Sequence, residues 1–151
     1  MQEVFHTGTL QECKYCGYLE TGVGGGLVYE DVHWIVSSSP LVDVPGWLVG
    51  ILRRHAEGFE GLTWAELTAF GPLVKRLTLA IKATTNVEKV YLFVMGEKVP
   101  HFHFVLLARH EGIPNEHRGP ALFAHRDRYE DREAALRLAG SLSSYMTHGS
   151  I

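Results

Sequence analysis

Two histidines at 101 and 103 sit in the run Val99-Pro100-His101-Phe102-His103-Phe104-Val105-Leu106-Leu107. On a β-strand, residues two apart share a face. The two imidazoles therefore align on one side, and Phe102, Phe104 and Leu106 turn to the other. Imidazole near neutral pH can ligate a metal, shuttle a proton or attack an electrophile. A core strand with two hydrogen-bonded histidines is the plainer alternative.

A second reactive pair, Cys13 and Cys16, comprises the only cysteines. Two cysteines make no disulfide framework. A Cys-x-x-Cys turn is half a metal site or a redox pair. A redox pair should follow a strand and open a helix, and no strand pattern precedes Cys13, which favours metal. Tetrahedral zinc needs four N or S donors. His55, just after an apolar strand and two arginines, and His101 are the candidates for the other two. Four protein ligands would close the shell, as in a structural zinc. His55 alone would read as a surface histidine. With His101 taken as a ligand, His103 is left free to attack phosphorus, provided its ring is neutral and the second nitrogen is held by an acceptor.

The elements that must position these residues follow from periodicity. Residues 1–26 read as irregular, and Gly22, Gly24, Gly25 and Gly26 form a turn without the Lys-Ser/Thr ending of a P-loop. Strands are predicted at 27–30, 32–37, 47–52, 87–94 and 101–108. Thr63 and Glu66 form a capping box. Leu67, Phe70, Val74, Leu77 and Ile81 follow at helical spacing to about residue 84. Gly71-Pro72 predicts a kink or a restart at Pro72. Residues 110–126 read as loop. Asp127 and Glu130 form a second capping box, opening a C-terminal helix over about 128–147. The sum is one α+β domain over 1–151, with an antiparallel sheet of about five strands and two main helices.

Composition narrows the function classes. The 151 residues are 46% hydrophobic and 21% charged, with net charge −3. That balance gives no electrostatic reason to expect duplex nucleic acid. No apolar run reaches the roughly 20 residues of a membrane span, and no signal peptide is visible, so a cytoplasmic location is expected. His110, His117, His125 and His148 read as surface residues. Lys98 and Arg109 could meet phosphate charge or simply be solvated strand ends. Trp34 and Trp64 read as core or interface. Trp47, Phe59, Leu67 and Phe70 read as core or as contacts between copies.

Taken together, four stretches resemble the histidine triad (HIT) superfamily, in its zinc-containing branch. They are Cys13-Lys14-Tyr15-Cys16, the hairpin from Val28 through Val36, the segment from Pro45 to His55, and Gly96-Glu97-Lys98-Val99-Pro100-His101-Phe102-His103-Phe104. The resemblance implies a HIT-like fold paired about a two-fold axis into a homodimer. It implies a nucleotide or nucleotide-conjugate ligand, and hydrolysis or transfer at its α-phosphate through a nucleotidyl-histidine intermediate. Carried over by position, Cys13, Cys16, His55 and His101 hold zinc and His103 is the nucleophile. The signature departs at its third histidine, which is Val105 and cannot donate a hydrogen bond. Ser39 stands where an acidic ribose contact is common, with Asp43 a possible substitute. Glu97 stands where glutamine is common, next to Lys98. Two readings follow: a nucleotide hydrolase or nucleotidyl transferase working through His103, or a zinc-stabilised nucleotide-binding or interaction protein that lost strong catalysis with the third histidine.

Overall fold

The computed structural model describes residues 13–149. Its sheet has five antiparallel strands: β1 (Leu27–Glu30), β2 (Trp34–Ser38), β3 (Trp47–Leu52), β4 (Val87–Phe93) and β5 (His103–His110). They lie in the order β1-β2-β3-β5-β4, which puts β5 between β3 and the edge strand β4. The helices are α1 (Lys14–Thr21), α2 (Trp64–Thr84), the single turn α3 (Ala121–Ala124) and α4 (Arg132–His148). The fold is α+β, as the periodicity predicts.

Alternation along the strands splits the core in two. Trp34, Val36, Leu48, Leu52, Phe104 and Leu106 face Leu73, Leu77 and Ile81 of α2 and Leu142 and Met146 of α4. The intervening residues Trp47, Val49, Ile51, Val105 and Leu107 face the other way, under Tyr15 of α1 and Ile113 and Leu122 of the segment after β5. Because both faces are covered, every residue of β3 is buried. A strand sealed on both sides reads as a continuous apolar run, as Trp47 to Leu52 does.

The capping box forms as expected: Thr63 Oγ1 accepts from Glu66 N, and Glu66 reaches back to Thr63 N. The Glu66 carboxylate also takes two hydrogen bonds from Arg54, each 2.9 Å. This pairing ties the residue before His55 to the start of α2.

Five expectations need correction. The N-terminal stretch is not irregular throughout. Residues 1–12 lie outside the described residues, but α1 opens at Cys13, whose thiol accepts from Cys16 N. A cysteine cap and eight residues with one buried side chain leave little periodicity to detect. The helix does not restart at Pro72; α2 is continuous from Trp64 to Thr84 with Pro72 inside it. Proline there forfeits one backbone bond, while Leu73, Leu77, Ala80 and Ile81 remain buried on one stripe and hold the helix to the sheet. The C-terminal helix starts at Arg132, not near 128. Asp131 is its cap, accepting from Ala134 N, and residues Arg126–Tyr129 form a separate 3₁₀ turn. Two further short helical turns, Asn115–His117 and Ala121–Ala124, interrupt the expected loop. Lastly, β5 begins at His103. His101 and Phe102 form its lead-in, with Phe102 bonded in both directions to Ala56 O and Leu52 N.

Candidate active site and metal centre

Cys13 and Cys16 occupy the first turn of α1, His55 follows β3, and His101 precedes β5. The ligand atoms of these four residues lie within 4.8 Å of one another. Cys13 Sγ is 3.3 Å from His101 Nδ1, and Cys16 Sγ is 3.3 Å from His55 Nδ1. Cys16 Sγ is 3.4 Å from His101 Nδ1, and the two Nδ1 atoms are 3.2 Å apart. A zinc tetrahedron with ordinary bond lengths has edges of roughly 3.3 to 3.8 Å. The donors thus stand about as far apart as one ion would hold them.

The buried His101 shows how its lone pair is aimed. Its Nε2–H donates to the Leu52 carbonyl at 2.6 Å. That bond fixes the tautomer and leaves Nδ1 unprotonated toward the two sulfurs, the outer-shell arrangement expected of a ligand histidine. Burial and the neighbouring Cys13 push the Cys16 thiol up to about 11. A redox-active thiol needs the reverse. So although this Cys-x-x-Cys does open a helix, its surroundings suit a cation that would draw off the proton.

His103 stands one rung further on, on the same side of the sheet. Its Nδ1–H donates to the His101 carbonyl at 2.8 Å. Burial holds its pKa below the usual histidine value. The ring is therefore neutral at pH 7, and Nε2 carries the free lone pair. The buried Tyr15 lays its ring against the imidazole, with centroids 4.7 Å apart and planes at 76°. Nothing in the apolar pattern of α1 flags this contact; the only signal is an aromatic residue inside the Cys-x-x-Cys turn.

Val105 faces the same side and is nearly buried, with Val49 on β3 and Phe93 on β4 opposite it. Neither neighbour can donate a hydrogen bond. Beyond Val49 lies Ser37, whose buried hydroxyl has no partner among the described residues.

The weaker candidates are spread out. The buried Ser39 uses its hydroxyl on its own turn, accepting from Leu41 N and Val42 N. Asp43 faces α4: its carbonyl accepts from Asp131 N, and its carboxylate lies 3.4 Å from Arg132. Glu97 and Lys98 are exposed on the connection from β4 to His101. Arg109 shares the face of His103 but lies six residues along β5, about 20 Å away, and pairs with Glu88 at 2.8 Å.

The surface reading of the remaining histidines holds for His148, which is exposed, but not for His117. His117 is buried, bonded through Nδ1 to the Tyr129 hydroxyl and stacked on His125 at 4.0 Å. His110 and His125 are half-buried, and His110 donates to the Pro45 carbonyl. The local sequence looked like loop because these partners come together only in the folded segment after β5. Burial, with lesser contributions from His125 and Arg128, lowers the pKa of His117. The unfolded chain then binds this proton more readily than the fold does. Stability is full above the ordinary histidine pKa of about 6.5 and falls as pH drops below it. The urea midpoint should accordingly decrease from pH 7 to 5.5, and less steeply in His117→Phe.

No protein-family model and no curated protein matches the sequence. Solved structures do. A HIT family protein from Bacillus anthracis is 25% identical at a TM-score of 0.63, over 90% of this chain and 98% of its own. A Zn-bound histidine triad family protein from Mycobacterium smegmatis is 17% identical at 0.67, over 92% and 99%. A hypothetical histidine triad nucleotide-binding protein from Sulfolobus tokodaii is 18% identical at 0.69, over 89% and 92%.

Proposed function

Because this chain folds as a member of the histidine triad superfamily, we propose that it is a nucleotide hydrolase or nucleotidyl transferase that works through a nucleotidyl-His103 intermediate. The observation that carries this reading is the hydrogen bond from His103 Nδ1–H to the His101 carbonyl. It presents a neutral ring with its lone pair on Nε2, the state a nucleophilic histidine requires. Support for the substrate class comes from a protein of the same fold described as nucleotide-binding.

In the same reading Cys13, Cys16, His55 and His101 hold one structural zinc. The donor set and spacing fit that ion, and a Zn-bound protein shares the fold. Zinc would supply cross-linking there, since four protein donors leave no open coordination position for chemistry. Unpaired cysteines suit a reducing compartment such as the cytoplasm. Among the described residues, no helix is long and apolar enough to cross a membrane. A homodimer joined along the edge strand β4 would cover Leu92, which is 44% exposed; sedimentation as a monomer would remove that part.

Val105 favours a second reading, a nucleotide-binding protein with little turnover. The third signature position carries no donor and is packed among Val49 and Phe93. The two readings separate in one experiment. Adenosine and guanosine phosphoramidates, dinucleoside polyphosphates and nucleotide sugars are each mixed with the protein, and the intact mass is recorded after rapid quench in alkaline denaturant, where a phosphorus–imidazole bond survives. A nucleotidyl adduct that disappears in His103→Ala supports the enzyme. Binding without adduct or turnover across the panel sinks it in favour of the second reading.

A further inference from the structure

Val105 leaves the signature without its third donor, but a hydroxyl-bearing ring, that of Tyr15, packs against the His103 imidazole. Tyr15 lies between the two cysteines of α1, is 5% exposed, and sets its ring edge-to-face with His103. The same ring meets His101 edge-on at 6.1 Å. Cys13 caps the helix two residues before Tyr15, and Cys16 lies one residue after it. Tyr15 is thus held from both sides, and its hydroxyl is one bond beyond a ring already in contact with His103. The residues across the sheet from His103 and Val105 are Ile51, Val49 and Phe93, none of which can donate.

We propose that the Tyr15 hydroxyl donates the hydrogen bond that the third histidine would have given, to the leaving-group oxygen of the substrate. The role rests on the nucleotidyl-transfer reading above. In the first step the Nε2 lone pair of His103 forms a bond to the α-phosphorus. The bond from phosphorus to the leaving oxygen breaks, and its electron pair stays on that oxygen, where the Tyr15 O–H meets the developing negative charge and the alcohol departs with a proton taken up from solvent. In the second step a water oxygen bonds to phosphorus and the P–N pair returns to Nε2. The proton shed by the water passes to solvent. A phenol keeps its own proton at neutral pH, so Tyr15 acts as a donor throughout and undergoes no net change.

Tyr15→Phe tests the role because it keeps the ring against His103 and removes only the oxygen. The probes are two esters of adenosine 5′-monophosphate, one with p-nitrophenol and one with methanol. The rate of adduct formation on His103 is followed by mass spectrometry under single-turnover conditions. The variant should lose on the order of 100-fold with the methyl ester, the size of one donor to developing charge. It should lose only a few-fold with the nitrophenyl ester, whose leaving oxygen needs little help. Zinc content and melting temperature should match those of the unaltered protein. No loss with either ester, or equal loss with both, overturns the donor role and leaves Tyr15 as packing. An unaltered protein that forms no adduct at all overturns the nucleotidyl-transfer reading itself, and the Tyr15 role with it.

Discussion

Freshly purified protein should carry one equivalent of zinc, and stripping it with a strong chelator should lower the melting temperature by about 10 °C. The expectation follows from what the four ligands join. Cys13 and Cys16 belong to an eight-residue helix, well below the length at which an isolated helix persists in water. His55 ends the segment after β3, and His101 precedes β5. One ion would therefore pin α1 to the two central strands at the point where they bring His103 into place. A metal held a thousandfold above its dissociation constant contributes about 4 kcal/mol, and 1 kcal/mol moves the melting temperature of a domain this size by about 2 to 4 °C. Cys16→Ser should reproduce most of the loss, since serine offers no thiolate. Hydrogen exchange gives the local readout: residues 14–21 should lose protection on chelation while the centre of β3 keeps it. Metal-free protein, or a melting curve indifferent to the chelator, would show that the four donors are held by packing alone.

That cluster shows what residue type and spacing can reveal. Two cysteines three apart and two histidines in apolar surroundings are the donor set of one ion wherever they lie in the chain. They identify the group, but only the antiparallel pairing of β3 with β5 explains why residues 55 and 101 meet. Strand alternation was legible for a similar reason. Phe102, Phe104 and Leu106 separate from His103 and Val105 by a period of two, and the buried clusters divide along that line. The capping box at Thr63 was legible because both of its bonds are local.

The features that stayed hidden are tertiary. His117 sits in a stretch that reads as loop, and its burial depends on Tyr129 and His125, several residues away. Tyr15 reads as one more aromatic until α1 folds over β5 and sets it against His103. The start of α4 was ambiguous because Asp127 and Asp131 are both acceptable caps, and the choice falls to the one whose backbone N–H reaches the Asp43 carbonyl.

Gly50 is the sharpest case of such a hidden constraint, and Gly50→Ala should destabilise the protein by about 3 kcal/mol, at the upper end of overpacking costs. The apolar run Trp47 to Leu52 gives no sign of it. Glycine within a strand ordinarily weakens it, so alanine there would be expected to help. The pairing reverses the sign. Gly50 is the cross-strand partner of Phe104, and the far end of the Phe104 ring occupies the space a side chain would fill. A Cβ at residue 50 would meet three carbons of that ring at 2.1 to 2.7 Å. The ring cannot swing aside, because Trp34 and Phe70 pack against it at 5.6 and 5.3 Å. The strands must part instead, and they part next to the site: Phe104 adjoins His103, and Ile51, the partner of His103, adjoins Gly50. The variant should therefore lower both the urea midpoint, at unchanged slope, and the rate of nucleotidyl adduct formation. Phe104→Leu, added to Gly50→Ala, should recover part of the stability, a coupling expected only if the two residues collide. Gly71→Ala is the control, since its Cβ would meet nothing within 4 Å on the exposed side of α2. There alanine should stabilise by about 0.5 to 1 kcal/mol, as helix propensity dictates.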